Sequence, residues 1–216
     1  MQAAVLLGAP GSGKGTIAAA VSRQSDFRHI STGYVIRQEM KNPCSRLGAA
    51  ARVYMERSEY VPDELALELV SGLLVNGGLD AKILFDGFPR TEMQGRRFED
   101  LLKLHAGTLS GVFLLEAAEP VLVERLQGRR TCEACGAIFN RIWNPPRIVG
   151  VCNDCAGRLV QRVDDFEENI IKRLKLHEEA AHGLIRWYDE AGLLTHIDAS
   201  QDPDISAKQI LAVLKK

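Results

Sequence analysis

The sequence predicts an α/β fold in three layers, with a five-stranded parallel sheet between helices. Two inserted segments of different character interrupt it. Three observations carry that expectation. Short apolar runs recur with helical stretches between them: "AAVLL" at 3–7, "RHI" at 28–30, "KILF" at 82–85, "GVFLL" at 111–115 and "LTHI" at 194–197. Such alternation builds parallel sheets covered on both faces, because each crossover needs a helix to carry the chain back. Residues 33 to about 76 break the rhythm and read as consecutive helices, punctuated by Asn42-Pro43 and Val61-Pro62-Asp63. Residues 128–165 break it again, with two cysteine pairs, Asn144-Pro145-Pro146 and few helical signals, and read as a separate small module.

At 216 residues the chain has room for one main domain with an insertion. Its 27 Lys and Arg against 28 Asp and Glu leave a formal charge of −1. A cationic site must therefore be local, and no global basic field points to nucleic acid. No apolar span of membrane length occurs, and Met1 leads straight into a strand rather than a targeting leader. The expectation is a cytoplasmic protein with neither a membrane nor a nucleic-acid partner.

The first strand runs into "LLGAPGSGKGT", residues 6–16, which holds four glycines and a lysine. Gly8, Gly13 and Lys14 have the spacing of the phosphate-cradling loop, although Gly15 stands where a hydroxyl residue is usual and Thr16 follows it. Such a loop points backbone N–H groups inward at a helix N-terminus, where a polyphosphate is stabilised. Lys14 would reach the outer phosphates as a point charge, and Thr16 would lie near a Mg²⁺ ion. The bland alternative, a tight strand-to-helix turn, gives the lysine no task.

The second strand ends in Ser31-Thr32-Gly33 and the third in Asp86-Gly87-Phe88-Pro89-Arg90. Ligands of open α/β sheets sit beyond the carboxyl ends of the strands, so chemistry is expected at that edge. Asp86 is placed to bind Mg²⁺ directly or through its waters, unless it serves only as a turn residue. Pro89 fixes the chain where Arg90 projects. Arg37, Arg90, Arg125, Arg129, Arg130, Arg162 and Arg173 form a wider set at strand ends and module borders. Guanidinium forks match phosphate oxygens in pairs, and phosphoryl transfer needs little beyond positioning and charge neutralisation. None of the five histidines has a convincing catalytic setting in the sequence.

Cys132-Glu-Ala-Cys135 and Cys152-Asn-Asp-Cys155 have the spacing of a zinc ribbon. Four thiolates close a tetrahedron, so the metal should be structural, holding a module too small for its own core. Cys44 is isolated. A long amphipathic helix is expected from Asp165 to Glu190, with Ile170, Leu174, Ile185 and Trp187 on its apolar face.

These pieces resemble the adenylate kinases of bacteria, in the type with a zinc-bearing lid, and the resemblance runs essentially end to end. "GAPGSGKGT", "STG" with Arg37, "VPDEL", "DGFPRT" with Gln94, "GRR", the paired C-x2-C and "RVDD" leading to Arg173 occur in the family's order. The resemblance implies a P-loop NTPase-type core (1–30, 62–127 and 166–216), a monophosphate-binding flap (31–61) and a lid (128–165). It implies the reaction ATP + AMP ⇌ 2 ADP, with Mg²⁺, in a monomer. Gly11, Ser12, Gly13, Lys14, Gly15 and Thr16 would then hold the ATP phosphates. Arg125, Arg129, Ile138, Phe139 and the Gln201 backbone would complete the ATP site. AMP would meet Thr32, Arg37, Glu59, Tyr60, Val61, Gly87, Phe88, Pro89, Arg90, Gln94, Arg162 and Arg173. Lys14, Arg90, Arg129, Arg162 and Arg173 would stabilise the moving phosphoryl group, and Cys132, Cys135, Cys152 and Cys155 would bind zinc. Tyr34 departs from the acidic residue usual after "STG", which would leave Asp86 more of the metal's water shell. CMP, UMP or GMP as acceptor, and a nucleic-acid binder built on the zinc ribbon, are the competing readings; the ribbon's mixed charges and missing basic–aromatic stripe argue against the second.

Overall fold

The computed structural model describes residues 1–77 and 81–215. Its elements run β1 (Gln2–Leu7), α1 (Lys14–Arg23), β2 (Arg28–Ser31), α2 (Thr32–Glu39), α3 (Arg46–Glu56), α4 (Asp63–Gly77), β3 (Lys82–Asp86), α5 (Glu92–Leu104), β4 (Thr108–Glu116) and α6 (Glu119–Gly128). They continue with β5 (Arg129–Cys132), β6 (Ile138–Asn140), β7 (Leu159–Val160), a single 3₁₀ turn (Val163–Asp165), α7 (Glu167–Glu190), β8 (Leu194–Asp198) and α8 (Pro203–Leu214).

The main sheet has the order β2-β3-β1-β4-β8, with every pairing parallel. β1 is central and buried from Ala3 to Leu7, which is why it reads as an unbroken apolar run. Its side chains alternate between two cores. Ala3, Val5 and Leu7 pack toward Val70, Phe98, Leu184 and Tyr188 of α4, α5 and α7. Ala4 and Leu6 pack toward Ile17, Val21 and Ile210 of α1 and α8. Three layers result, as the strand–helix alternation predicts. Phe98 locks the first core, its ring edge-on to Phe85 at 5.2 Å and to Phe88 at 5.3 Å.

Two elements differ from expectation at their ends. β4 starts at Thr108, three residues before the apolar run, because main-chain pairing holds its first residues and Leu109 packs on the first core. Gln2 lies opposite Thr108, and the ladder steps past Ser110 between Ala3 and Ala4. α7 starts at Glu167 rather than at Asp165, since Asp165 belongs to the 3₁₀ turn and its carboxylate is taken by arginines.

α2, α3 and α4 form a small cluster of their own around Ile36, Ala51 and Leu69. β5, β6 and β7 form a separate antiparallel sheet in the order β6-β5-β7, whose buried residues are Cys132, Phe139, Cys152 and Leu159. The order of the main sheet reverses at β1, with β3 on one side and β4 on the other. The crevice at the carboxyl end of such a switch point is where ligands bind in open α/β sheets. Among the described residues, no helix is long and apolar enough to cross a membrane.

Candidate active site

A cavity of about 520 Å³ opens at that edge, between the turn after β1, the ends of β2 and β3, the small sheet and α7. Its floor is the glycine loop. Gly8 has φ +138°, and a Cβ there would stand 2.5 Å from the Leu115 carbonyl oxygen, so only glycine lets the loop pass. Gly13 precedes α1 with φ +89° and no side-chain cap. The first N–H groups of α1 therefore face the cavity without a competing side chain. Lys14 Nζ donates to the carbonyls of Gly8 (2.7 Å) and Ala9 (2.9 Å), folding its ammonium over the loop.

Around Lys14 the cations converge. Arg37, Arg90, Arg125, Arg129, Arg162 and Arg173 all line the cavity. Burial lowers the Lys14 ammonium to about 8, with Arg90, Arg129 and Arg173 adding repulsion against the attraction of Asp86. Burial, with Arg129, Arg173 and Arg90 nearby, brings Arg37 to about 10, and burial lowers Arg162 well below the usual guanidinium range. Each direction reports the same physics: positive charge is held close together, partly out of water, in a place that an anion would stabilise.

An acidic frame holds the cluster. Asp165 is fully buried and accepts from Arg129 Nε (2.7 Å), Arg129 Nη2 (2.5 Å) and Arg173 Nη1 (3.0 Å). Burial works against the Arg129 charge, yet the Asp165 carboxylate more than offsets it and Arg129 is raised. Asp164 Oδ2 lies 3.3 Å from Arg173 Nη1, and Arg162 Nε donates to Thr131 Oγ1 at 2.8 Å. Sequence reasoning marked the "RVDD" run but missed that its carboxylates aim the arginines.

Asp86 is buried at the end of β3, and a Cβ built on Gly15 would lie 3.7 Å from its Oδ2, so the carboxylate faces the loop. Burial opposes its charge, but the hydrogen bond from His29 (3.4 Å) and the attraction of Lys14 win and hold its carboxyl below the usual range. An ionised carboxylate and the hydroxyl of Thr16, both lining one cavity, suit the hard oxygen coordination of Mg²⁺. His29 is a partner that the short "RHI" strand did not advertise.

The remaining expected residues divide by place. Ile138, Phe139 and Gln201 line the large cavity, together with Trp143, over which the Arg125 guanidinium stands at 5.3 Å. Thr32, Val61, Phe88 and Gln94 line a second, smaller cavity that shares Tyr60, Gly87 and Arg90 with the first. Gln94 is buried, accepts from the Arg90 N–H (2.8 Å) and donates to Asp63 Oδ1 (2.6 Å), which leaves one donor and one lone pair free. Glu59 lines neither cavity and pairs with Lys172 at 3.2 Å. His177 lines the large cavity but was not singled out in the sequence; its position four residues after Arg173 puts both on one face of α7.

Tyr34 is not among the residues that line the cavity with Asp86. Its ring packs on the cysteine module, where a Cβ on Gly136 would overlap it, and Lys41 Nζ donates to the Glu133 carbonyl beside it (2.7 Å). The thiols of Cys132, Cys135, Cys152 and Cys155 lie within 4.8 Å of one another, with the Cys132–Cys155 and Cys135–Cys152 sulfurs at 3.4 and 3.6 Å. A tetrahedral zinc with thiolates at its usual distance needs sulfurs about 3.8 Å apart, so the donor set fits. The N–H groups of Cys135 and Ala134 bring Cys132 down to about 6. The Ala137 N–H pulls Cys135 the same way, but burial and the neighbouring sulfurs push it up to about 12. Four thiolates around one cation would fill its coordination sphere, so the metal would be structural.

The model of the adenylate kinase family matches residues 6–193. The chain is 38% identical over 215 residues to an adenylate kinase of Bacillus subtilis, covering 98% of this chain and 99% of that protein. It is 37% identical over 210 residues to an adenylate kinase of Caldicellulosiruptor saccharolyticus, covering 97% of each. A Staphylococcus aureus adenylate kinase is 35% identical over 210 residues, covering 97% of each. With the phosphate loop, the converging arginines and the four-thiol cluster in one structure, the chain belongs to the adenylate kinase family.

Proposed function

We propose that this nucleoside monophosphate kinase carries out ATP + AMP ⇌ 2 ADP by an in-line transfer. The single observation that carries the reading is that six arginines line one cavity together with Lys14. A reaction that brings two nucleotide phosphates together must overcome their mutual repulsion, and fixed cations do so without reorganising. The acceptor phosphate is already ionised at neutral pH, so no general base is needed. ATP lies along the glycine loop toward Arg125, Ile138, Phe139 and Gln201, and AMP lies toward Arg37, Arg90 and Gln94. Mg²⁺ arriving with ATP supplies further neutralisation of the phosphate oxygens. Asp86 and Thr16, which line the same cavity, would hold that ion directly or through its waters.

Residues 31–61 and 128–165 act as flap and lid over the core 1–30, 62–127 and 166–216, excluding water that would otherwise hydrolyse ATP. Support comes from the small sheet's own buried cluster, from the packing of 31–61 on α4 through Ile36, Ala51 and Leu69, and from their contact at Tyr34 and Gly136. The enzyme acts as a monomer in the cytoplasm and binds neither nucleic acid nor membrane. A coupled assay tests the reading: ADP should form from ATP only when AMP is added, and faster with AMP than with CMP, UMP or GMP. ATP turnover that ignores AMP would overturn it. Lys14→Met should lower turnover by about 10²-fold or more with melting unchanged, since the lysine acts on charge and not on packing.

A further inference from the structure

Arg90 is held on three sides. Its main-chain N–H donates to Gln94 Oε1 (2.8 Å), its Nε–H donates to the Gly87 carbonyl (2.7 Å), and its guanidinium carbon stands 4.4 Å above the centroid of the Tyr60 ring. The Gly87 bond fixes one edge of the guanidinium plane and the Tyr60 ring fixes one face. What is left is the pair of terminal nitrogens. A planar fork grips a phosphate with two parallel bonds only when its plane is correctly tilted, so whatever sets the tilt sets the grip.

Tyr60 sits in the short connection between α3 and α4, between the buried Ser58 and Val61, which packs on the core. That connection is tied to one end of α7. Lys172 Nζ donates to the Arg57 carbonyl (2.7 Å) and reaches Glu59 Oε1 (3.2 Å), and the Tyr60 hydroxyl lies 3.5 Å from His177 Nδ1. Both Tyr60 and His177 line the large cavity, so neither is a core residue in the ordinary sense. We infer that Tyr60 is a positioning residue for the acceptor phosphate, its ring setting the plane of the Arg90 guanidinium and His177 holding the ring in place from α7. The inference rests on the reading that AMP binds at Arg90. Burial, with Lys14 and Arg90 adding repulsion, pushes His177 down to about 3, so its imidazole is neutral at working pH and adds no charge to the crowded cations. A neutral ring nitrogen can accept from the phenol, and a group that basic only near pH 3 is no proton acceptor for catalysis.

Steady-state kinetics with each nucleotide varied in turn test this. Tyr60→Leu removes the aromatic face and should raise the KM for AMP about tenfold, while the KM for ATP stays within about twofold. Tyr60→Phe keeps the face and should recover most of that loss. His177→Leu should weaken AMP in the wild-type background, but add little to Tyr60→Phe, which has no hydroxyl to hold. In an Arg90→Lys background, where an ammonium has no plane to orient, the Tyr60→Leu effect should shrink to less than about threefold. An active wild type in which Tyr60→Leu raises both KM values alike, leaves the AMP value unchanged, or acts equally in the Arg90→Lys background overturns the inference alone. A wild type without AMP-dependent turnover overturns the functional reading and the inference with it.

Discussion

Lys14 shows how one residue is kept ready for an anion. Its three nearest acceptors belong to its own loop, and burial with three neighbouring arginines brings its ammonium to about 8. A polyphosphate beside it favours the charged form and raises that value. Near pH 8.5 the free lysine is mostly neutral, so ATP binding should take up on the order of one proton; near pH 6.5 the lysine is already charged and contributes none. Calorimetry in two buffers of different ionisation enthalpy measures this, and Lys14→Met should abolish the uptake near pH 8.5. Equal uptake in that variant would show that another group titrates. Asp165 is the opposite case, a fully buried carboxyl group that accepts from two arginines. Asp165→Asn should cost about 3–5 kcal/mol in denaturant unfolding and lower turnover, because it takes from the buried Arg129 the carboxylate it pairs with and leaves Arg173 with Asp164 alone. The sequence showed both aspartates of "RVDD" but not their task, which depends on residues 36 and 8 positions away meeting in space.

At the scale of the element, the cysteine module is the most dependent on a ligand. Its buried residues are two cysteines, Phe139 and Leu159, too few to hold three short strands without the metal. Chelation should therefore lower the melting temperature and weaken ATP binding while the helical signal of the core remains. Metal release with melting unchanged would contradict a structural role. The paired C-x2-C made this element legible in advance, because metal geometry fixes spacing tightly. α7 was less legible. Ile170 is buried as expected and Leu174, Ile185 and Trp187 are partly so, but the fully buried positions continue at Ala181, Leu184 and Tyr188. Arg173 and His177 fall on that same stripe and turn into the cavity. A stripe broken by two polar residues reads as a weaker face, and here the break marks the site. The start of β4 was hidden for a different reason: Thr108 and Ser110 carry no apolar signal and flank a single Leu109 that packs on the core, so backbone pairing carries much of the strand there.

Across the whole molecule, the sheet order places the glycine loop at a switch point, and two inserted modules meet over it. Their contact runs from Tyr34 to Gly136 and from Lys41 to the Glu133 carbonyl, joining α2 to the zinc module directly. Sequence alone identified Tyr34 as a departure but gave no means of knowing that it reaches the other module, since the partners are far apart in the chain. The three inner strands, by contrast, were legible from their apolar runs, because parallel strands covered on both faces are apolar for most of their length, and the edge strands β2 and β8 were placed by the alternation with helices. The central claim is that the donor and acceptor nucleotides lie end to end in one cavity among these cations. Titration calorimetry with a dinucleotide whose two adenosines are joined through a polyphosphate chain tests it most directly. The account predicts one molecule bound per chain, displaced by ATP and by AMP alike; binding of two molecules per chain, or displacement by ATP alone, would contradict it.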